Sequence, residues 1–284
     1  MQNRWIRLFF WLGLICVLTL IAVVGWALVC KDTQSTVALK WLQLLQSIAT
    51  FLAPAILCAW LWDEDQQPFA WLKMNHAPAW QDLLLVIAIM LCALPAINLL
   101  ADLNSRVVLP ESLSGLEQWM KTREQEAADL TRRFLQADNI GTVMLNIGLM
   151  ALLPALGEEI SFRGTLQQTI TRNPSPLTPH LAIWVTAIVF SAIHIQFYGF
   201  IPRMLMGAMF GYIFVWSGNL WLPVIMHFTN NAIAVITYSI LGESADNQNI
   251  ADTIGAGDMW WLGVLSLVIT CLGLLIFYRK THTR

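Results

Sequence analysis

Eight long apolar segments run through this chain and constrain its fold more than any other feature. They cover approximately residues 8–29, 42–62, 83–101, 140–171, 181–197, 201–216, 220–241 and 260–278. A helix needs about 20 mostly apolar residues to cross the roughly 30 Å hydrocarbon layer of a membrane. The sequence therefore predicts an all-α, polytopic membrane protein with about eight transmembrane helices.

The composition argues against a water-soluble protein. Apolar residues make up 57% of the 284 positions and charged residues 12%, against roughly 45–50% and 25% in average soluble proteins. Sixteen basic and eighteen acidic side chains cannot cover the surface of a soluble domain of this length. The chain is therefore expected to be surrounded by the lipid bilayer.

A net charge of −2 offers no clustered basic surface, which excludes nucleic acid as a partner.

We expect three parts along the chain. Residues 1–139 hold the first three helices and a charged loop, residues 140–241 hold helices four to seven, and residues 242–284 hold a loop and the last helix. Eleven of the 34 charged residues lie between residues 104 and 139, which predicts a surface helix or hairpin partly at the membrane interface. The short turn at residues 217–219 predicts antiparallel sixth and seventh helices. Gly207 and Gly211 predict close helix packing.

Charged residues at the two ends give a weaker indication of orientation. Basic side chains there favour a cytoplasmic location for both termini, although the loop at residues 104–139 is also basic in part. We expect a multi-pass protein of the bacterial inner membrane. The sequence makes no prediction about its oligomeric state.

Two adjacent carboxylates, Glu158 and Glu159, lie inside the fourth apolar segment. An ionisable side chain at membrane depth costs about 2.5–3.5 kcal/mol, so it normally faces a protein interior or a water-filled cavity and has a function. Arg163 follows Glu159 by four residues, which on a helix places the two side chains on nearly the same face. We therefore expect Arg163 to pair with Glu159, while Glu158 points about 100° away and is available as a general base.

Two of the five histidines, His194 and His227, also lie inside predicted spans. Asn231 follows His227 by four residues, so both side chains point from one face of the seventh helix. Side-chain donors held in a dry cavity can stabilise the oxyanion that forms when water attacks an amide carbonyl. Asn230 is expected on a different face, as a packing residue. Taken singly, each intramembrane histidine is explained by hydrogen bonding between helices; together with the carboxylate pair, the two form a set typical of a site.

These residues form three motifs that resemble a known family. The motifs are Glu158-Glu159-xxx-Arg163, Phe190-xxx-His194 and His227-xxx-Asn231, each in its own apolar segment. Together they resemble the CPBP family (CaaX protease and bacteriocin-processing, also called Abi), which includes the Rce1-like CaaX prenyl endopeptidases. The resemblance runs from about residue 155 to residue 232, and residues 1–139 match by hydropathy alone.

The resemblance implies an intramembrane endopeptidase with eight helices around a conical cavity. Carried over to this chain, it implies that Glu158 and His194 activate a water molecule and that His227 and Asn231 stabilise the oxyanion. Glu159 and Arg163 would support the site, and Phe190 would pack. The implied substrate is a membrane-bound protein or peptide. The motifs do not imply that CaaX prenyl proteins are substrates.

Whether a metal takes part is left open by the sequence. If zinc is bound, the expected ligands are Glu158, His194 and His227, a plausible set of donors. No HExxH motif is present, and the three ligands would come from three separate helices. A glutamate-dependent reaction without a metal is slightly preferred.

Two other classes of protein fit the same pattern less well. In a transporter or channel, Glu158, Glu159 and His194 would relay protons or bind a cation, but no inverted repeat is recognisable. A non-proteolytic membrane scaffold or bacteriocin immunity protein would carry the motif residues without using them for hydrolysis.

Overall fold

The computed structural model describes residues 3–32, 35–171, 178–241 and 253–283, and within these ranges all regular structure is helical. The helices are α1 (Arg4–Val29), α2 (Thr36–Trp62), α3 (Pro68–Trp71), α4 (Trp80–Ser105), α5 (Ser114–Leu135), α6 (Ile140–Thr171), α7 (Thr178–Ala192), α8 (Phe200–Ser217), α9 (Trp221–Leu241) and α10 (Trp260–His282). Short 3₁₀ turns, Glu111–Leu113 and Gly257–Met259, precede α5 and α10. The prediction of an all-α polytopic membrane protein is confirmed.

Six of the described helices are long and apolar enough to cross a membrane: α1, α2, α4, α6, α8 and α10. The other two predicted spans are helical as well. Helix α7 is apolar but has only 15 residues, fewer than the roughly 20 that a perpendicular span needs. Helix α9 has 21 residues and carries His227, Asn230 and Asn231 in its middle. The protein is thus a multi-pass membrane protein, and its described part holds six candidate spans and two further helices where the other predicted spans lie.

Two of the long helices contain widened, π-helical turns. In α2 such a turn covers Ile48–Leu52 and precedes Pro54; in α6 one covers Ile147–Leu152 and precedes Pro154. A proline has no N–H to donate and its ring clashes with the carbonyl one turn earlier, so the preceding turn widens to admit it. A third π-helical stretch, Ile160–Gln167, follows Glu159 directly. Such turns occur often at functional sites because they redirect side chains.

The core of the bundle positions α6, α8 and α9 against one another. Helix α9 packs against α6, α4 and α8, while α10 lies along α4. Buried apolar side chains from α4, α8 and α9, among them Met90, Phe210, Ile213 and Met226, form one continuous cluster. This cluster holds the middle of α9, where His227 lies, against the rest of the bundle.

Helices α6 and α8 are joined by two matched hydrogen bonds. Arg163 Nη2 donates to the carbonyl of Gly207 over 2.8 Å, and Gln167 Nε2 donates to the carbonyl of Gly211 over 3.2 Å. A Cβ atom at residue 207 would lie 3.2 Å from Arg163 Nη2, and one at residue 211 would lie 2.8 Å from Gln167 Oε1. The close packing predicted from the two glycines is confirmed, and their small size lets the long polar side chains reach the backbone of α8.

The turn between α8 and α9 is built by two residues. Gly218 adopts a left-handed conformation with φ of 63°, which ends α8. Asn219 Oδ1 then accepts the backbone N–H of Trp221 over 2.9 Å and so caps the start of α9. Helices α8 and α9 pack side by side, as the short turn predicts.

The charged segment between α4 and α6 forms the surface helix α5, which confirms the helix predicted there. Its ion pairs, such as Lys121 with Glu117 at 2.6 Å, lie at the surface. At the C-terminal end of α5, Phe134 and Leu135 are buried. This end reaches the interior of the bundle next to the candidate site.

Candidate active site

A cavity of about 430 Å³ lies where α6, α8, α9 and the loop after α7 meet. Its polar wall contains Glu158, His194, Arg203, His227, Asn230 and Asn231. Its apolar wall includes Ile97, Leu135, Met150, Met206 and Val235, from five different helices. All four residues assigned a catalytic role from the sequence therefore line one cavity, although they come from segments up to 73 positions apart in the chain.

Glu159 and Arg163 do not line the cavity but lie behind it, fully buried. Arg163 Nη1 donates to Glu159 Oε1 over 2.8 Å, and both side chains have 0% exposure. The ion pair predicted from their spacing is present. The same carboxylate oxygen accepts a second bond over 2.9 Å from Nδ1 of His227. Glu159 thus connects the first motif to the third.

Aromatic rings enclose this buried pair. The guanidinium carbon of Arg163 lies 4.7 Å from the ring centre of Phe190 and 5.5 Å from that of Phe210. Phe210 also stacks on the His227 ring, with centroids 5.4 Å apart. Cation–π contacts and the absence of free space hold the charged groups in fixed positions. Phe190 packs, as expected.

Glu158 faces the second nitrogen of His227. Its Oε2 lies 3.9 Å from His227 Nε2, which is too long for a direct hydrogen bond. The bond from Nδ1 to Glu159 places a proton on Nδ1, so in the neutral ring Nε2 is an acceptor. His227 therefore donates into the cavity only when both ring nitrogens are protonated.

The structure corrects the sequence prediction for His194. Helix α7 ends at Ala192, and His194 lies in the loop that follows, not within a span reaching residue 197. Ile195, with φ of 53°, turns the chain away from the helical path. His194 Nδ1 donates to the carbonyl of Phe190 over 2.8 Å, which directs Nε2 away from that carbonyl. Its ring is thereby anchored to the end of α7 while lining the cavity.

The loop that carries His194 is itself held in place by α4 and α5. Asn104 Nδ2 donates to the carbonyls of Phe197 and Tyr198 over 2.9 and 2.5 Å. The rings of Trp119 and Phe197 lie 5.3 Å apart. These contacts replace the intrahelical bonds that would have fixed His194 in a continuous helix.

Asn230 also differs from its predicted place. It lines the same cavity as Asn231, and its Nδ2 donates to Asn231 Oδ1 over 3.1 Å. The expectation that Asn230 is a packing residue on another face is wrong, because adjacent helical residues can both border a cavity this wide. With its oxygen engaged, the Asn231 amide presents N–H donors to its surroundings.

The candidate zinc ligands do not form a compact set of donors. Among the described residues, no group of three or more His, Cys, Asp or Glu side chains is arranged to hold a metal ion. His227 bonds to Glu159 through Nδ1, which leaves its Nε2, 3.9 Å from Glu158, facing the cavity. Because no such group is found, Glu158, His194 and His227 do not form a preformed zinc site in the described structure.

Arg203 is a charged lining residue that the sequence predictions missed. It lies on the first turn of α8, with its side chain half-buried in the cavity wall. A signal for it does exist, because it is the single charged residue in the apolar segment 201–216. Thr131 and Leu135 of α5 were missed as well; their sequence context indicates only a charged surface helix.

Comparison with known proteins agrees with the motifs. Residues 140–233 match the family described as type II CAAX prenyl endopeptidase Rce1-like. One similar protein is "Uncharacterized protein YpbD" of Bacillus subtilis (strain 168), 29% identical over 92 residues. That match covers 31% of this chain and 43% of the length of the relative. No solved structure matches the chain. All seven motif residues lie within the matched region, and the match confirms the family resemblance for this third of the chain.

Proposed function

We propose that the chain is an intramembrane endopeptidase of the CaaX-protease type, which hydrolyses a peptide bond in a membrane-associated protein or peptide. The observation that carries the proposal is the meeting of Glu158, His194, His227 and Asn231 in one cavity within an apolar bundle. A carboxylate, two imidazoles and a carboxamide in one enclosed space supply a base and hydrogen-bond donors for hydrolysis of an amide.

Glu158 and His194 are the proposed water-activating pair. Glu158 lies on the cavity wall with 13% of its side chain exposed, so a water molecule can reach it while bulk solvent is largely excluded. The Nδ1 bond to Phe190 leaves His194 Nε2 free to accept a hydrogen bond from that water. The carboxylate of Glu158 would take one proton as the water oxygen attacks the carbonyl carbon.

Asn231 is the proposed constant donor to the oxyanion. Its amide donates in every protonation state, and Asn230 holds its oxygen. His227 would add a second donor through Nε2 when its ring is doubly protonated. Donors fixed in a dry site before the reaction stabilise the tetrahedral intermediate without reorganisation.

In the proposed reaction, Glu158 takes one proton from the attacking water and later gives it to the leaving amine. Water adds its oxygen to the carbonyl carbon and gives one proton to Glu158. The tetrahedral intermediate then collapses, the C–N bond breaks, and Glu158 returns the proton to the departing amine. The products are a carboxylic acid and an amine.

The ion pair of Glu159 with Arg163 has a proposed positioning role. Glu159 fixes the His227 tautomer through Nδ1, and Arg163 keeps Glu159 in place from α6 while bonding α8 through Gly207. Neither side chain borders the cavity, so both would act through His227.

Direct assay of the purified chain tests the proposal. The protein would be reconstituted into proteoliposomes with a library of palmitoylated fluorescent octapeptides, and products would be identified by mass spectrometry. We expect cleavage by the wild type and none by Glu158→Gln. Cleavage that persists in both Glu158→Gln and His194→Ala would overturn the proposal. Ion flux without cleavage would support a transporter, and bacteriocin protection that survives both substitutions would support an immunity protein.

Comparative proteomics of native membranes addresses the physiological substrate. Membranes containing wild type and membranes containing the Glu158→Gln variant would be compared for proteins that accumulate uncleaved or co-purify with the variant. A substrate should accumulate uncleaved in membranes that contain the variant and should co-purify with the variant. Neither should occur with the wild type.

A further inference from the structure

Among the described residues that line the cavity, Arg203 is the one arginine or lysine, and it has no role in the proposed hydrolysis. Its Nη2 donates to Gln196 Oε1 over 2.6 Å, and its Nη1 lies 3.5 Å from the Gln196 carbonyl oxygen. Both partners are neutral. None of the ion pairs found within 4 Å in the described part of the chain includes Arg203.

The nearest acids do not neutralise Arg203 directly. Glu124 and Glu158 interact with it electrostatically, but at more than ion-pair distance. Arg163, the other buried arginine of the site, differs because it is paired with Glu159 at 2.8 Å. An arginine in a candidate membrane span that has no directly bound counter-ion is costly, and such a residue marks a functional site by default.

The cavity that Arg203 lines has a volume of about 430 Å³, which leaves room for a planar anion beside the guanidinium. Gly199 lies beside the guanidinium, and a Cβ atom there would be only 3.0 Å from Arg203 Nη2. The glycine therefore lets the guanidinium lie against the loop backbone. A guanidinium has five N–H donors arranged as a fork that matches a carboxylate, and Gln196 engages only part of that fork.

The position of Arg203 relates it to the substrate. It lines the same cavity as Glu158 and His194, so an anion bound to it would lie within a few residues of the bond under attack. We infer that Arg203 is a carboxylate-binding subsite, which recognises a carboxylate of the substrate close to the cleaved bond. This inference rests on the proposed function. The carboxylate is either the C-terminus of the peptide or an Asp or Glu side chain.

A binding experiment tests the subsite without requiring cleavage. Three palmitoylated, fluorescein-labelled alanine hexapeptides would be used: one with a free C-terminal carboxylate, one with a C-terminal amide, and one amide with a single internal Glu. Their Kd values would be measured by fluorescence anisotropy for the full chain carrying Glu158→Gln in nanodiscs. We expect one or both acidic peptides to bind about 10- to 100-fold more tightly than the neutral amide, because a hydrogen bond to a charged group contributes about 1.5–3 kcal/mol.

Substitutions of Arg203 test whether this residue causes the preference for acidic peptides. In the same background, Arg203→Gln should abolish the preference for the acidic peptide, and Arg203→Lys should restore part of it. Arg106→Gln, which removes a surface cation paired with Asp102, should leave the preference unchanged. Preference for the free acid identifies the C-terminus, and preference for the Glu peptide identifies a side chain. Equal binding of all three peptides, or an unchanged preference in Arg203→Gln, would overturn the inference.

The cleavage assay separates this inference from the proposed function. If the wild type cleaves an acidic peptide, Arg203→Gln should raise KM for that peptide and leave KM for its neutral counterpart unchanged. If the wild type cleaves no peptide while the binding preference depends on Arg203, the subsite stands and the protease proposal fails.

Discussion

His227 donates its Nδ1 proton to Oε1 of Glu159 over 2.9 Å, and the same oxygen accepts a bond from Arg163. This relationship joins the first and third motifs through one buried atom. It also determines what His227 can do, because the remaining ring nitrogen faces the cavity and Glu158. Motif residues of one helix thus hydrogen-bond to a ring on another.

The buried carboxylate should be far more important for stability than a surface carboxylate with the same spacing. Glu159→Gln leaves Arg163 as an uncompensated buried charge, so we expect a loss of about 3–5 kcal/mol of stability together with lower activity. The matched control is Glu117→Gln, which breaks the exposed pair with Lys121 and should cost less than about 1 kcal/mol. Thermal unfolding in detergent compares the two variants. Equal shifts would show that the buried pair does not hold the site together.

Glu158→Gln should abolish turnover while leaving the fold intact. Glu158 borders the cavity. Within the described structure its side chain makes no hydrogen bond shorter than 3.5 Å, so the fold does not depend on it. Removing a general base lowers kcat by about 10²- to 10⁴-fold, and peptide binding should persist. Asp138→Asn, at an exposed position outside the cavity, should retain full activity. Unfolding of Glu158→Gln at a much lower temperature would instead indicate a structural role for the carboxylate.

The two asparagines should differ in their effect on kcat. Asn231→Ala removes the proposed oxyanion donor and should lower kcat by about 10²- to 10³-fold with little change in KM. Asn230→Ala removes only the bond that orients Asn231, so we expect a loss of about two- to tenfold. Steady-state kinetics on the same peptide measures both. A larger loss for Asn230→Ala would mean that Asn230, and not Asn231, contacts the intermediate.

Cleavage should continue in the presence of a zinc chelator. The side chains expected to bind zinc do not form a group that could hold a metal ion in the described structure. Activity would be measured with 1,10-phenanthroline and with its non-chelating 1,7 isomer as the control. Inhibition by the chelator alone, reversed by added zinc, would establish a metal-dependent reaction.

Gly207 should tolerate no larger side chain. A Cβ atom there would lie 3.2 Å from both Arg163 Nη2 and the Phe190 ring, so Gly207→Ala should displace them at a cost of about 1–3 kcal/mol and reduce activity. Gly13→Ala in α1 is the matched control, because nothing lies within 4 Å of its added Cβ; alanine there should be neutral or stabilising. Comparison of melting temperatures and kcat tests this. Normal activity in Gly207→Ala would mean that α6 and α8 can separate without disturbing His227.

The helical fold and most of the candidate site residues were predicted from local chemistry. Apolar runs of membrane length predict helices because lipid offers no partner for backbone N–H and C=O groups. The carboxylates at residues 158 and 159 were recognised because a charged side chain inside an apolar segment is energetically costly. The four-residue spacing from Glu159 to Arg163 correctly predicted the ion pair between these two residues. These features depend on residues close together in the chain.

Contacts between distant residues could not be predicted in the same way. The sequence gives no sign that Glu159 bonds to His227, 68 positions later, or that the C-terminal end of α5 borders the cavity. The end of α7 before His194 was also missed, because Ile193 and Ile195 continue the apolar run although the chain turns there.

The amino-acid sequence by itself determined that this chain forms membrane helices carrying a carboxylate pair, two histidines and an asparagine. Only the tertiary structure decided which atoms meet, that Asn230 and Arg203 share the cavity, and that Glu159 serves His227 as well as Arg163. The physical reason is that helix formation depends on local hydrogen bonding, whereas the rotation and register of each helix depend on packing against all its neighbours.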